Sequence, residues 1–158
     1  MKKRNTVLVV DGGGRGSALV HKYSQSQHVK RIICVPGNDL MQINSLKPLK
    51  IFPKFKTTSV SEIVNLCKKY SVDLIDVAQD NAIEASLVDK LTKQGFKALG
   101  PTRRAGQIEW DKAWARRFMK KYKIPHPKFK ICKSQKEGIS FVKKHKGSWF
   151  VKASGLAE

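Results

Sequence analysis

Three things are scarce in this chain of 158 residues: cysteine, acidic side chains and long apolar runs. The three cysteines, Cys34, Cys67 and Cys132, stand far apart and show no C-x-x-C spacing. Their odd number and apolar neighbours exclude a disulfide framework and predict reduced, buried thiols in a cytoplasmic protein. His21, His28, His126 and His145 share no metal-ligand spacing, so a zinc site is excluded too. No apolar run approaches the roughly 20 residues of a membrane span. Lys3 and Arg4 precede only a short apolar strand without a small-residue cleavage site, and no signal peptide is expected. Acids number 12 against 32 Lys and Arg, a net charge of +20. That balance passes a first screen for nucleic-acid binding. The basic residues are nevertheless spread along the chain, in short pairs such as Lys68-Lys69, Lys120-Lys121 and Lys143-Lys144. With no basic arm, no RNP-type aromatic motif and no zinc finger, a solvated lysine-rich surface is the favoured reading.

What is present begins at Thr6. The apolar run Val7 to Val10 predicts a buried parallel strand, Gly12-Gly13-Gly14 follows at once, and an amphipathic helix opens near Gly16. In an open α/β sheet the strand's carboxyl end and the next helix's N-terminus meet at the ligand crevice. Glycines admit a phosphate close to the backbone, and the helix N–H groups bind its charge. A tight strand-to-helix connection uses glycines equally well, and the turn alone leaves both readings open. A nicotinamide site is disfavoured: the second strand, Arg31 to Val35, ends in Val35-Pro36-Gly37-Asn38 with no carboxylate for a ribose hydroxyl.

Further along, a mixed polar stretch from Gly37 to Lys50 leads to a short β-prone piece, Leu49 to Phe52. A helix is predicted from Ser59, with Ser59 and Glu62 as a capping box and Ile63, Leu66, Cys67 and Tyr70 facing inward. Then come a strand Leu74 to Ala78, a helix Ile83 to Gln94 ended by Gly95, and a strand Phe96 to Leu99. This alternation predicts an α/β fold with a doubly wound parallel sheet. From Arg103 the character changes: a helix Asp111 to Tyr122 runs into Pro125 and Pro127. A strand Phe129 to Cys132, a helix capped by Ser134 with Glu137, and a strand Trp149 to Lys152 are expected next. Trp110, Trp114, Phe118 and Tyr122 recur four apart, a stripe read as core packing. A lone strand–helix–strand cannot bury its sheet, so the end is expected to be the opening of a second domain and the chain a fragment. The expected divisions are residues 1–102, a helical connector 103–124, and a truncated second domain 125–158.

The motif order resembles one known family from end to end. The carrying pieces are LVVDGGGRGSAL at Leu8 to Leu19, PGN at Pro36 to Asn38 and LGPTRRAGQIEWDKAWARRFM at Leu99 to Met119. IPHPKF at Ile124 to Phe129 and FVKASGLA at Phe150 to Ala157 complete the set. Together they resemble the N-terminal part of the phosphoribosylamine–glycine ligase (glycinamide ribonucleotide synthetase) family, within the ATP-grasp superfamily. The resemblance implies a Rossmann-like pre-ATP-grasp domain followed by the start of an ATP-grasp domain. It also implies joining of glycine to 5-phosphoribosylamine through a glycyl phosphate, with ATP and Mg2+, in the cytoplasm. Carried over to this sequence, Gly12, Gly13, Gly14, Arg15, Pro36, Gly37, Asn38 and Asp80 would line the phosphoribosylamine crevice. Lys112 and Lys152 would reach ATP. Metal ligands would lie beyond residue 158, no catalytic residue is assigned, and the piece alone is expected to be inactive.

The sequence departs from the family's usual GGGGREHA at Asp11, Gly16 and Ser17, and from PGNAGT at Asp39. Asp80 stands where the family has glutamate, and Ser154 where VKADG has aspartate. These changes gather on the substrate side, whereas both lysines survive. Two alternatives accordingly stay beside the ligase reading: an ATP-grasp carboxylate–amine ligase of other substrate, active or not, and a basic nucleic-acid-binding α/β module.

Overall fold

The computed structural model describes residues 5–156. Lys3, Arg4 and Ala157, named above, lie outside them. The chain divides into two compact units after Gly106.

The first unit is built on five parallel strands in the order β3-β2-β1-β4-β5. The central strand β1 (Asn5–Asp11) pairs on one side with β2 (Val29–Pro36) and on the other with β4 (Leu74–Val77). β3 (Leu49–Ile51) and β5 (Ala98–Leu99) are the edges. Being covered on both faces, β1 is a continuous apolar run, buried from Thr6 to Asp11. On one face Val7, Val9, Ile32 and Cys34 pack with Val20 of α1 (Gly14–Ser24) and Met41 of α2 (Asp39–Asn44). α3 (Val60–Lys69) buries Ile63, Val64, Leu66 and Cys67, while Tyr70 at its end is half-buried. Between α1 and the sheet the half-buried Tyr23 donates its hydroxyl to Asp76 Oδ2 at 2.7 Å. Asp76 is 6% exposed. Burial first, and the neighbouring carboxylate second, raise the Tyr23 phenol's pKa above its ordinary value.

Several expectations need correction. α1 starts at Gly14, two residues before the expected opening. Within the mixed stretch Gly37 to Lys50, Asn38 caps α2, its side chain accepting from Met41 N at 3.0 Å. Ser59 occupies the cap position of α3 but makes no side-chain cap bond, so its box with Glu62 does not form. The single helix Ile83 to Gln94 is two, α4 (Asp80–Glu84) and α5 (Leu87–Lys93), divided where Ser86 turns left-handed at φ 63°. A further helix, α6 (Arg103–Trp110), spans the division between the units.

In the second unit α7 (Lys112–Lys121) is capped by Asp111, whose carboxylate accepts from Trp114 N at 2.9 Å. Its aromatics follow one another along the helix: Trp114 stacks on Phe118 at 5.0 Å, and Phe118 meets Tyr122 at 4.6 Å with the rings tilted. Tyr122 is exposed and the others are half-buried, so the stripe is an aromatic ladder on a partly open face and not a sealed core. α8 (Gln135–Lys144) carries the expected cap, with Ser134 Oγ accepting from Glu137 N at 3.2 Å. Glu137 reaches back to Lys133 N at 2.9 Å, which with Lys130 beside it holds its carboxyl below the usual range.

The two strands expected here, Phe129 to Cys132 and Trp149 to Lys152, do not form. Both are short apolar-rich pieces, but a strand needs a ladder partner, and among the described residues of this unit none is offered. Phe150 and Val151 stand 89% and 94% exposed. Cys132 is likewise exposed, contrary to the expectation of three buried thiols; Cys34 and Cys67 are buried.

Candidate substrate crevice at the strand-order reversal

Strand order reverses between β1 and β4, since β1 leads to β2 on one side while β4 and β5 lie on the other. In such sheets ligands bind outside the carboxyl ends of the strands flanking that reversal. The glycine turn leaves the end of β1, Gln79 and Asp80 leave the end of β4, and Pro36 to Asn38 leave the end of β2. The first eight residues expected at the crevice therefore converge on one sheet end.

Their contacts are specific. Gly12 N donates to Gln79 Oε1 at 3.2 Å, bridging the two strand ends. Asn38 Nδ2 donates to Gly12 O at 3.0 Å and to Ser17 Oγ at 3.3 Å, while its Oδ1 caps α2. One amide thus fixes the glycine turn to the loop after β2. Gly37 takes φ +73°, and a Cβ there would lie 2.7 Å from Ile51 Cγ2 and 2.9 Å from Cys34 Cβ. Backbone angle and packing both require glycine. Arg15 Nη1 meets Asp80 Oδ1 at 3.1 Å across the reversal. The aspartate in place of glutamate still reaches this arginine, in a pair open to solvent and worth at most about 1 kcal/mol.

Asp11 and Gly16 stand out in the sequence as departures from the family pattern, and the structure shows that they are in contact. Asp11, 2% exposed, turns its carboxylate into the glycine turn and accepts from Gly13 N. The Asp11 side chain thus occupies the turn at the N-terminus of α1. At Gly16 a Cβ would stand 2.8 Å from Asp11 Cβ, Asp11 Oδ1 and Met41 Cε alike. The departures at positions 11 and 16 are therefore one structural unit, a carboxylate at 11 occupying the room that glycine leaves at 16. The sequence signal was an acid placed directly between an apolar strand and its glycines. Gln79 had no local signal, because its partner is 67 positions away.

Burial, reinforced by Asp11, pushes the Cys34 thiol up to about 12; burial alone does the same for Cys67. Neither is a thiolate nucleophile.

Lys112 and Lys152 belong to the second unit, and both are exposed. Lys112 is the first residue of α7. Lys152 does not end a buried strand, so the cost of burying an unpaired ammonium, which singled it out in the sequence, does not arise. Among the described residues no group of three His, Cys, Asp or Glu could hold a metal ion, and no helix is long and apolar enough to cross a membrane.

A parallel sheet of this order, with its glycine turn at the reversal, defines the class: a doubly wound α/β domain, of the kind that binds ligands at the topological switch point. The family described as "Phosphoribosylglycinamide synthetase, N domain" matches residues 5–109. The chain belongs to that family. Its relatives include the phosphoribosylamine–glycine ligase of Archaeoglobus fulgidus, 36% identical over 96% of this chain. That of Streptococcus pneumoniae serotype 4 is 34% identical, again over 96% of this chain. The chain spans about a third of the length of these relatives, 33% and 35%. Among solved structures, phosphoribosylamine–glycine ligase from Thermotoga maritima matches with a TM-score of 0.63 at 22% identity, over 96% of this chain and 33% of that one. The biotin carboxylase domain of Hydrogenobacter thermophilus 2-oxoglutarate carboxylase, solved with MgADP and bicarbonate, matches at 0.60 and 16%, over 91% and 33%. These two likenesses establish the α/β fold.

Proposed function

We propose that this chain supplies the substrate-side crevice and the first ATP contacts of a phosphoribosylamine–glycine ligase. The observation that carries the proposal is the convergence of the motif residues at the β1/β4 reversal in a chain whose relatives of that name match over 96% of it. Gly14 adds support: a Cβ there would meet nothing within 4 Å, so packing leaves room above the start of α1 for a ligand.

The chemistry is that of making a carboxylate electrophilic. The γ-phosphoryl group of ATP passes to a glycine carboxylate oxygen, giving glycyl phosphate and ADP. The amine of 5-phosphoribosylamine attacks the carbonyl carbon, the C–N bond forms, the bond to phosphate breaks, and the amine loses a proton. The product is glycinamide ribonucleotide, an intermediate of de novo purine synthesis. Such a reaction is driven by positioning and charge neutralisation. Gly12 to Arg15, Pro36 to Asn38 and Asp80 would orient the phosphoribosylamine, with Arg15 exchanging Asp80 for the substrate's phosphate. Lys112 and Lys152, both exposed cations, suit the ATP polyphosphate. Mg2+ would lower the charge of that polyphosphate when bound, and the described residues do not by themselves form a centre for it. The exposed lysines are read as a solvated surface that favours small anions over nucleic acid, and the buried thiols suit the cytoplasm.

The departures at Asp11, Gly16 and Ser17 favour a second reading, a ligase of the same chemistry with another amine substrate. A chimera tests both: these 158 residues in place of the matching third of the Archaeoglobus fulgidus relative. ADP release dependent on glycine and phosphoribosylamine together supports the proposal. A folded chimera that binds ATP but releases no ADP with this amine counts against it.

A further inference from the structure

Ser154 stands two residues after Lys152, in a segment without helix or strand, and its hydroxyl is used twice. It donates to Asp111 Oδ1 at 3.0 Å and accepts from Ala113 N at 2.9 Å. The residue between those two partners is Lys112. Asp111 Oδ1 also accepts from Trp114 N, so one carboxylate oxygen and one hydroxyl close the first turn of α7. The Trp114 amide, and to a lesser degree Ser154 and Gln107, hold the Asp111 carboxyl below its usual range, so it stays an acceptor at neutral pH. The segment has little else to hold it, since Phe150, Val151 and Lys152 are all exposed.

We infer that Ser154 is a positioning residue, a hydroxyl clip that holds the Lys152 segment against the N-terminus of α7 so that Lys112 and Lys152 act as one polyphosphate-binding face. This rests on the reading above that the two lysines serve ATP. The clip also explains serine at this position. An aspartate could accept from Ala113 N but has no proton for Asp111, and two carboxylates would face each other at hydrogen-bond distance. Threonine keeps both bonds.

The test uses this chain in three variants, Ser154→Ala, Ser154→Thr and Ser154→Asp, with two readouts by NMR. The first is hydrogen exchange at the Ala113 amide, without ligand. The second is titration with inorganic tripolyphosphate, followed at the amides of residues 112–115 and 152–155. In the parent chain both segments should respond together with one affinity. Ser154→Ala should speed Ala113 exchange and weaken tripolyphosphate, each by about tenfold, and make the two segments respond separately. Ser154→Thr should restore both readouts, and Ser154→Asp neither. Unchanged Ala113 exchange in Ser154→Ala overturns the clip. Faster exchange with unaltered tripolyphosphate affinity overturns the positioning role, as does a parent chain in which neither segment responds. Intact clip behaviour beside a chimera that makes no product would instead locate the failure in the ligase reading.

Discussion

Gly16 is the position where the crevice's departure from its family can be weighed in energy. Gly16→Ala adds one methyl group 2.8 Å from three atoms, of which Met41 Cε is the far end of a flexible side chain and Asp11 Cβ is one bond from the central strand. Met41 is itself fully buried and has little room to yield. Overpacking of this kind costs about 2–3 kcal/mol when a backbone-attached atom must move. Displacing Asp11 Oδ1 from Gly13 N adds about 1 kcal/mol. Alanine regains about 1 kcal/mol of helix propensity over glycine. The net loss is about 2–3 kcal/mol, a fall in Tm of roughly 5–15 °C. The assay is urea and thermal unfolding by far-UV circular dichroism. Asp11→Gly removes two of the three contacts, so the double variant Asp11→Gly/Gly16→Ala should be more stable than the sum of the singles by about 1–2 kcal/mol. Gly16→Ala within about 0.5 kcal/mol of the parent, or additive with Asp11→Gly, would refute the reasoning.

Tyr23→Phe removes the hydroxyl that serves buried Asp76 and should cost about 1.5–3 kcal/mol in urea unfolding, with the fold retained. Iodoacetamide at neutral pH should alkylate Cys132 in the folded chain and reach Cys34 and Cys67 only on unfolding, counted by mass spectrometry. Because burial raises the Cys34 and Cys67 pKa from 9.0 to about 12, the protonated thiol is favoured in the folded state. Their stabilising effect is complete below about pH 9 and is lost as pH rises toward about 12, so the urea midpoint should fall across that window.

The framework of the first unit was legible because its elements carry strong local patterns. Val7 to Val10, four β-prone apolar residues ended by glycines, pointed to a strand covered on both faces, and Ile63, Leu66 and Cys67 keep helical spacing. α2 was hidden because it has only six residues and leaves Leu40 and Ile43 outside, against the usual polar-out pattern. The break between α4 and α5 rests on a left-handed serine, which sequence gives no reason to expect. Phe129 to Cys132 and Trp149 to Lys152 have the apolar, β-prone composition of strands, yet composition cannot supply the neighbour that makes a ladder. At the crevice the motif positions were readable, and their company was not. Asp11 beside Gly16, and Gln79 across from Gly12, depend on β1 lying against α1 and β4 in space.

The central claim is that the strand-order reversal is a phosphoribosyl site, and an amide chemical-shift titration with ribose 5-phosphate, a stable stand-in for the aminated sugar, tests it most directly. Saturable shifts confined to Gly12 through Ser17, Gly37, Asn38 and Asp80, and abolished by Arg15→Ala, are the predicted result. Shifts scattered over the exposed lysines, or none at the glycine turn, would contradict it.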